Sequence, residues 1–364
     1  MDPDAVDALC GYPSHDESST TDPVASETDR RGTSNLRIAY DGPDDRLLLD
    51  FGTTTNPAIP SGAVQAYQSA FAASRSYPSD SYCDFRIAAA EYVDCEPEQV
   101  IPTAGRPAAL RLVIGTTVDS GDSVLLPEPS FEGYEREVTL QGADPVFVPH
   151  GEILDADPAA YDLVVVDTPN NPTGRAYDPR SLSAFADRCQ RAGTPLLVDE
   201  AFLDFTDIPS LAGRDGVVVL RSLAKVFGFP GLRVGFAVAT GAYRDRLDVT
   251  RLSWGVGEPA ASLGTYCLNE TDFVEQTRER VESERARIAE RLEEHFEITH
   301  SSAPFLLLDA GSGDRVESII NQAREAGIVV RDARTFRGLD SHIRVSVRLP
   351  NENDQLVETL TSRS

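Results

Sequence analysis

The stretch Gly216-Val-Val-Val-Leu-Arg-Ser-Leu-Ala-Lys225 joins a continuous apolar run to the only lysine in the chain. Similar apolar runs occur at 123–126, 163–167, 195–199 and 233–238. Continuous rather than alternating apolar strands are typical of parallel sheets that are covered on both faces. Helix-length segments lie between these runs, including 107–118 and 181–192, the latter stopped by Gly193. The pattern predicts an α/β large domain over residues 62–255 with a mostly parallel sheet.

The remaining sequence predicts a smaller α+β domain formed by residues 37–61 together with 256–364. A long charged amphipathic helix is expected over 270–296, and strands at 305–309 and 343–348 flank a helix near 315–326. The last strand alternates, so Arg344, Ser346 and Arg348 are expected to share one face. Residues 1–36 are rich in Asp, Ser, Thr and Pro, and this composition predicts an acidic, disordered tail.

The charge balance excludes several classes of function. The 364 residues include 33 basic and 59 acidic side chains, a formal net charge of −26. Nucleic-acid binding and attraction to anionic membranes both need clustered basic residues. No apolar run approaches the roughly 18 residues that span a bilayer. We therefore expect a soluble cytoplasmic protein, and its acidic, arginine-rich composition indicates a salt-rich, halophilic habitat.

Cysteine and histidine give no sign of a metal site or a disulfide framework. Cys10, Cys83, Cys95, Cys189 and Cys267 are odd in number, widely scattered and without C-x-x-C spacing. The five histidines form no H-x-x-x-H pair. We predict that the protein uses no metal.

Polar residues follow three of the predicted strands where a ligand of an α/β sheet would lie. Asp199 follows one strand, Asn170 and Asn171 follow another, and Lys225 follows a third. A pyridine cofactor with an aldehyde uses all three types of group. The lysine binds the aldehyde, the carboxylate keeps the ring nitrogen protonated, and the amide donates to the phenolic oxygen.

The phosphate of such a cofactor requires hydroxyl groups, a guanidinium group and free backbone amides at a helix N-terminus. Ser222 and Arg233 provide the first two. The turn Thr103-Ala-Gly-Arg-Pro-Ala108, which contains Gly105 and Arg106, precedes a predicted helix. Pro107 has no N–H to donate, and the charge of Arg106 compensates for it.

Each of these features also has a purely structural interpretation. Asn-Asn-Pro-Thr-Gly satisfies the geometry of a tight turn by itself, and Asp199 can be a helix cap or a buried ion partner. Ser222 with Lys225 also matches the S-x-x-K of serine acyl enzymes, but these require a K-T-G that a chain with one lysine does not contain. A functional role for Lys225 is favoured, because the only lysine of the chain would rarely fall at this position by chance.

Beyond these residues, the sequence after residue 45 resembles the fold-type I pyridoxal-phosphate enzymes of the class I/II aminotransferase superfamily. The motifs that carry the resemblance are Tyr-Pro-x-x-x-Tyr at 77–82, Asn-Asn-Pro-Thr-Gly at 170–174, Val-Asp-Glu-Ala-Phe at 198–202, Ser-Leu-Ala-Lys at 222–225 and Gly-Leu-Arg-Val-Gly-Phe at 231–236.

The resemblance implies pyridoxal 5'-phosphate as the cofactor and assigns roles to individual residues. It implies that Lys225 is the lysine joined to the cofactor, that Asp199 binds the pyridine nitrogen and that Asn171 binds the phenolic oxygen. Phe131 would stack on the ring, and Tyr77 would reach the phosphate of the neighbouring subunit in a homodimer. The family's usual turn has small or polar residues where this chain has Arg106 and Pro107.

Within the superfamily, the sequence is most similar to L-threonine-O-3-phosphate decarboxylase of cobalamin biosynthesis, a pyridoxal-phosphate-dependent lyase. Phe202, Pro230 and the segment 330–348 carry this similarity. The product would be (R)-1-aminopropan-2-yl phosphate. Two other functions stay open: histidinol-phosphate aminotransferase or another class I/II aminotransferase, and a catalytically inert cofactor-binding module.

Both enzymes take a phosphorylated amino acid or amine, and three residues are candidates for binding it. Arg331 and Arg344 are natural clamps because guanidinium groups bind carboxylate or phosphate with two hydrogen bonds. Their alternative is ordinary surface charge. The resemblance also implies a substrate-side role for Asn56, the remaining asparagine of a family motif that here reads Thr53-Thr-Thr-Asn-Pro57.

Overall fold

A central sheet organises the larger part of the protein in this computed structural model, which describes residues 1–2, 4–6 and 48–362. The strands of these residues are β1 Leu49–Asp50, β2 Val100–Thr103, β3 Ser123–Glu128, β4 Asp144–Pro149, β5 Leu163–Asp167, β6 Leu196–Asp199, β7 Val217–Ser222, β8 Gly235–Val238, β9 Glu297–Ile298, β10 Phe305–Asp309, β11 Ile328–Val329, β12 Arg331–Asp332 and β13 His342–Ser346. Within the described ranges the central sheet has seven strands, in the order β2-β8-β7-β6-β5-β3-β4. The five strands from β3 to β7 are parallel to one another. Strand β8 is antiparallel to both of its neighbours, β7 and β2. The expectation of a mostly parallel α/β sheet is confirmed.

Helices cover both faces of this sheet and also pack around the second part of the chain. They are α1 Ala63–Phe71, α2 Cys83–Val93, α3 Arg106–Thr117, α4 Gly133–Thr139, α5 Pro179–Ala192, α6 Leu223–Val226, α7 Gly241–Thr250, α8 Glu258–Leu268, α9 Thr271–Leu292, α10 Gly313–Glu325 and α11 Pro350–Thr361. Along β5, Val164 and Val166 pack into one hydrophobic cluster, and Leu163 and Val165 pack into another. Two covered faces explain why the strand is apolar at every position.

Helix α5 shows how local sequence signals set the element boundaries. The Asp178 side chain accepts a hydrogen bond from the Ser181 amide at 2.9 Å, and Pro179 takes the first helical position. The helix ends before Gly193, which has a φ of 77° that glycine adopts without steric cost. Its buried side chains are Leu182, Phe185, Ala186 and Cys189, one apolar stripe against the sheet.

A second, smaller sheet lies in the C-terminal part of the chain. It is antiparallel and, in the described part of the chain, has the order β12-β13-β10-β9. A short parallel pair joins β1 to β11. Both faces of β13 are buried, including the face that carries Arg344 and Ser346. The alternation in this strand therefore separates an apolar core face from a polar face that is also covered.

The structure differs from the sequence expectations mainly at edges and ends. Strands β2 and β4 were not predicted because Pro102, Pro145 and Pro149 interrupt their apolar patterns. Both strands are edge strands, where a residue without an amide proton is tolerated. Helix α9 ends at Leu292 rather than at 296, and β13 ends at Ser346 rather than at 348.

The domain limits 62–255 and 37–61 with 256–364 remain predictions. The tail predicted over 1–36 lies mostly outside the described residues. At its start, the Asp2 amide donates to the Leu140 carbonyl at 3.1 Å. Among the described helices, none has a stretch both long and apolar enough to cross a lipid bilayer.

A buried ion cluster ties together the ends of two central strands. Arg221 on β7 donates to Glu200 at 3.1 Å and also to Asp204. Tyr92 donates to the same Asp204 oxygen at 2.7 Å. Glu200 also accepts from Ser210 and from the Leu211 amide. Burial raises the pKa of Glu200, a cost that its hydrogen bonds and Arg221 partly offset.

We expect Arg221→Met to lower the free energy of unfolding by about 3–5 kcal/mol, since it leaves two buried carboxylates without their cation. Arg214→Met is the matched control, because Arg214 pairs with the exposed Asp187 and such pairs contribute roughly 0–1 kcal/mol. Urea unfolding followed by circular dichroism measures both values. Equal losses in the two variants would contradict a structural role for the buried cluster.

Candidate active site

The carboxyl ends of three neighbouring strands bring polar side chains to one edge of the central sheet. Asp167 ends β5, Asp199 ends β6 and Ser222 ends β7. Asp167 lies directly opposite Asp199 in the β5–β6 pair, so the strand ends are in register. Ligands of α/β sheets bind beyond such ends. The predicted site residues Asn171 and Lys225 follow β5 and β7 at this edge.

Asp199 is a deeply buried acidic group at this edge, with a side chain only 1% exposed. Its Oδ2 accepts a hydrogen bond from the Tyr134 hydroxyl at 2.6 Å and another from the Arg106 guanidinium. Its Oδ1 accepts from the Ala201 amide at 3.1 Å. Burial, with the charges of Asp199 and Asp167, raises the pKa of Tyr134 well above its usual range, so the phenol stays a donor. Asp199 is thus a carboxylate directed at a cation.

Phe131 lies beside this carboxylate. Its ring is 4.2 Å from the Arg106 guanidinium carbon and 5.6 Å from the Tyr134 ring centroid, edge to face. The structure therefore brings together three residues that the sequence predicted separately, Asp199, Phe131 and Arg106. Tyr134 was missed, because its spacing of three residues from Phe131 carries no signal until the position of Asp199 is known.

The two asparagines after β5 have different roles. Asn170 is fully buried and donates to the Pro129 carbonyl at 3.0 Å and to Asp167 at 2.9 Å, as a turn residue does. The backbone N–H of Asn171 donates to the Asp167 carboxylate at 2.9 Å, while the Asn171 side-chain oxygen accepts a hydrogen bond from Arg344. The turn interpretation applies to Asn170, and Asn171 presents its side chain to the site. Burial raises the pKa of Asp167 to about 7.

Lys225 lies on α6, the short helix that follows β7. Its Nζ is 5.6 Å from the ring centroid of Phe202, the residue that closes the Val-Asp-Glu-Ala-Phe motif. The Asn56 amide donates to the Lys225 carbonyl at 3.0 Å, and the Asn56 side chain donates to the Val226 carbonyl at 2.7 Å. The backbone around Lys225 is therefore held from the N-terminal segment.

The side chain of Asn56, predicted to bind substrate, is occupied by protein partners. Its second N–H points to Thr277 Oγ1 at 3.2 Å, and its oxygen accepts from Arg280 at 2.7 Å and from the Ala58 amide at 3.1 Å. Both of its N–H groups have acceptors within the chain. Asn56 acts here as a support of α6, and a substrate contact remains only a prediction.

Two glycines open a cradle at the N-terminus of α3. Gly105 has a φ of 81°, and a Cβ built on it would lie 2.8 Å from Nη2 of Arg233. A Cβ on Gly235 would lie 2.6 Å from the Arg221 carbonyl oxygen and 3.1 Å from the Arg106 backbone nitrogen, so the backbones pack closely here. Ser222 pairs with Gly235 across β7 and β8. The Arg233 guanidinium and the N-terminus of α3 thus lie close together, an arrangement that suits a phosphate group.

Arg331 and Arg344 face each other as direct partners in the β12–β13 pair, and both are buried. Arg344 donates to the Gly52 carbonyl at 3.1 Å as well as to Asn171. Arg331 donates to Thr335 at 2.9 Å and lies 3.7 Å from the Glu132 carboxylate. Ordinary surface charge does not describe either residue, since burying a cation is costly without a structural or binding purpose.

Tyr77 lies apart from this group on the surface of the chain. Its side chain is 83% exposed, and its ring centroid is 5.1 Å from that of Trp254. Other large apolar side chains near Tyr77 or Trp254 in sequence are also exposed, among them Ile59, Val64, Phe71 and Leu252. The predicted contact of Tyr77 with a neighbouring subunit's phosphate stays a prediction.

The amino-acid sequence is similar to those of known proteins. The family model "Aminotransferase class I and II" matches residues 49–360. "Histidinol-phosphate aminotransferase 2" of Archaeoglobus fulgidus is 30% identical over 87% of this chain and 93% of its own length. "Putative threonine-phosphate decarboxylase" of Caldanaerobacter subterraneus is 29% identical over 78% of this chain and 82% of its own length.

Solved structures show the same fold. The histidinol-phosphate aminotransferase from Sinorhizobium meliloti, in complex with pyridoxal-5'-phosphate, superposes with a TM-score of 0.79 at 21% identity and covers 86% of this chain and 89% of its own. The L-threonine-O-3-phosphate decarboxylase from Porphyromonas gingivalis has a TM-score of 0.78 at 22% identity, over 86% and 98% of the two chains.

The glycine cradle leads to a prediction that a matched pair of variants tests. Gly105→Ala and Gly121→Ala both place a side chain at a φ above 80°, which costs each about 1–3 kcal/mol. Only the Gly105 Cβ meets Arg233, whereas no atom lies within 4 Å of the Gly121 Cβ. We expect Gly105→Ala to weaken pyridoxal phosphate binding about tenfold or more, because a charged hydrogen bond contributes roughly 1.5–3 kcal/mol. Gly121→Ala should bind normally in the same fluorescence titration, and equal weakening in both variants would contradict the cradle.

Proposed function

We propose, from the premise that this chain belongs to the class I and II aminotransferase family, that it decarboxylates L-threonine O-3-phosphate. The family model covers most of the chain, and a structural neighbour binds pyridoxal phosphate. The protein is therefore a pyridoxal-phosphate-dependent enzyme with the fold-type I architecture. The product of the proposed reaction is (R)-1-aminopropan-2-yl phosphate. In the proposed function, this compound is the precursor of the cobalamin side chain.

The residues at the ring end of the site fit this cofactor. Lys225 is the only lysine, so it is the one side chain able to bind the aldehyde covalently. Asp199 offers a buried carboxylate for the protonated ring nitrogen, and Asn171 has an amide for the phenolic oxygen. Phe131 covers one face of the same space. When bound, pyridoxal phosphate supplies a sink for the electrons of a bond broken at the substrate's α-carbon.

The residues at the phosphate end fit as well. A group with two negative charges matches the helix N-terminus at Gly105, the Arg233 guanidinium and the Ser222 hydroxyl. The observation that supports this assignment is geometric: a Cβ at Gly105 would lie 2.8 Å from Nη2 of Arg233 and would crowd the space between them. We assign Arg106 to this cofactor site too, since its backbone begins α3.

The buried arginine pair is the observation that carries the choice of substrate. Arg331 and Arg344 are cross-strand partners whose guanidinium carbons lie 5.3 and 5.6 Å from the Phe336 ring centroid. L-threonine O-3-phosphate carries a carboxylate and a phosphate on one molecule, and two neighbouring guanidinium groups match two anions. Arg344, which also contacts Asn171, holds the carboxylate, and Arg331 holds the phosphate.

Lys225 completes the chemistry by moving a proton. Once carbon dioxide leaves, the substrate's α-carbon requires a proton in place of the carboxylate, and the Lys225 amine is the proposed donor. Arg344 fixes the carboxylate so that the bond to be broken has one orientation. A residue that held the substrate in another orientation would expose the Cα–H bond instead, and transamination would follow.

Histidinol-phosphate transamination is the second candidate, favoured by the names of several relatives. The relatives named for the two activities match at similar identity, 30% and 29%. Phe202 supports the decarboxylase, because the aminotransferases that the sequence resembles usually have tyrosine there. In this chain the ring beneath Lys225 offers no hydroxyl. The third candidate is a cofactor-binding module without turnover.

A homodimer is part of the proposal. Tyr77 is exposed beside Trp254, and further large apolar side chains are exposed nearby in sequence. A second copy of the chain would cover them and receive Tyr77 at its phosphate. The proposed partners are thus the small phosphorylated substrate and a second subunit.

A gas-release assay tests the activity. Purified protein loaded with pyridoxal phosphate is expected to release carbon dioxide from L-threonine O-3-phosphate in high salt, and Lys225→Ala is expected to release none. Histidinol phosphate with 2-oxoglutarate should give no glutamate. Glutamate formation without gas release would instead establish the aminotransferase, and a loaded protein inert with both substrates would establish the binding module.

Arg344→Gln tests the carboxylate clamp. We expect kcat/KM for decarboxylation to fall by roughly 30-fold or more, because loss of a buried charge pair costs about 2–5 kcal/mol. Arg348→Gln is the control: Arg348 lies two residues beyond the end of β13, where it pairs with Glu352 at 3.1 Å and donates to the Asp50 carbonyl at 2.9 Å. Initial rates over a range of substrate concentrations measure both variants, and an unchanged kcat/KM in Arg344→Gln would refute the assignment.

A further inference from the structure

The guanidinium of Arg106 lies in the space that the proposed function assigns to the cofactor ring. It donates to Asp199 Oδ2, the carboxylate proposed for the ring nitrogen. It also lies 4.2 Å from the centroid of Phe131, the residue proposed to cover the ring face. The side chain is only 13% exposed. One side chain thus makes both of the contacts that the cofactor ring requires.

These contacts are chemically equivalent to those of a protonated pyridine. A guanidinium group is planar, carries one positive charge, donates N–H hydrogen bonds to carboxylates and stacks on aromatic faces. Burial disfavours its charge, but the nearby Asp199 carboxylate outweighs this cost and raises the pKa of Arg106 overall. The cation therefore stays charged in the space.

The remaining atoms of Asp199 leave little room for a second cation. Tyr134 already donates to the same Oδ2 at 2.6 Å, and the Ala201 amide occupies Oδ1 at 3.1 Å. Arg106 and the cofactor ring would both need Oδ2 and the Phe131 face. The two groups would therefore compete for the same contacts.

The backbone at Arg106 leaves only the side chain free to move. Gly105 before it holds the positive φ of the cradle, and Pro107 after it has φ fixed by its ring. The backbone nitrogen of Arg106 is at the cradle, near Gly235. A guanidinium that leaves Asp199 by rotation of its side chain remains attached next to the phosphate end of the site.

We propose that Arg106 is an internal substitute for the cofactor ring, which pairs with Asp199 in the cofactor-free protein and must withdraw before pyridoxal phosphate binds. This proposal rests on the proposed function of Asp199 and Phe131. Without Arg106, the cofactor-free protein would hold a buried carboxylate with no cation, an unstable arrangement. The pairing of Arg106 with Asp199 stabilises the cofactor-free protein and, for the same reason, opposes the binding of pyridoxal phosphate.

The test compares Arg106→Gln and Arg106→Ser with the control Arg111→Gln. Arg111 lies on the same helix and pairs with Glu137 at 2.8 Å, outside the ring space. Dissociation constants are measured on cofactor-free protein with pyridoxal, which has the ring without the phosphate, and with pyridoxal phosphate. Borohydride reduction followed by mass spectrometry checks that each ligand is attached to Lys225.

Both Arg106 variants are expected to bind pyridoxal about tenfold more tightly than the unaltered protein, since competition for Asp199 is gone and a competing contact of ~1.4 kcal/mol corresponds to tenfold in affinity. The gain with pyridoxal phosphate should be smaller, because a cation near the phosphate is lost as well. Arg111→Gln should leave both constants unchanged. In thermal unfolding, the stabilisation on adding cofactor should be larger for the Arg106 variants than for the control.

Pyridoxal binding that is unchanged or weaker in both Arg106 variants would overturn the proposal and make Arg106 a permanent part of the cofactor site. A different result separates this failure from failure of the proposed function. If the unaltered protein gains no mass on Lys225 with either ligand, the cofactor assignment itself is wrong, and the substitute has nothing to replace.

Discussion

Asp199, a carboxylate buried at the end of a central strand, is paired with the Arg106 cation, and this pairing organises the site. Asp199 lies at the end of β6 with 1% of its side chain exposed. An isolated ionised carboxylate at such a position is strongly disfavoured, so neighbouring groups have to compensate it. Tyr134 and the Ala201 amide supply neutral hydrogen bonds, and Arg106 supplies the charge. The same demand supports the proposal that Asp199 binds the protonated ring nitrogen of the cofactor.

The sheet and the motif residues of this site follow from local sequence patterns. Continuous apolar strands such as 163–167 required two covered faces, and the two clusters on either side of β5 provide them. Parallel strands then carry whatever follows them to one edge, so Asp199, Asn171 and Lys225 were expected together before any distance was known. The sole lysine sharpened that expectation, since all but one of the 33 basic residues are arginine.

Other features were out of reach because they depend on contacts between residues distant in sequence. The edge strands β2 and β4 carry prolines that oppose a strand pattern, and only their position in the sheet makes these prolines acceptable. Tyr134 matters through Asp199, which lies 65 residues away. The motif alone predicts a substrate contact for Asn56, but it gives no sign that the Asn56 side chain donates to the Val226 carbonyl, next to Lys225, and also contacts Thr277 and Arg280.

Two contacts link the smaller sheet and the N-terminal segment to the central sheet within the site. Arg344 on β13 donates to Asn171, which follows β5, and the Asn56 amide donates to the Lys225 carbonyl. The first contact joins the proposed substrate clamp to the proposed partner of the cofactor's phenolic oxygen. An anion that binds Arg344 therefore alters the surroundings of Asn171 through a single shared hydrogen bond. With the proposed roles of these two residues, charges on the substrate and on the cofactor would be coupled, because hydrogen bonds in one network polarise one another.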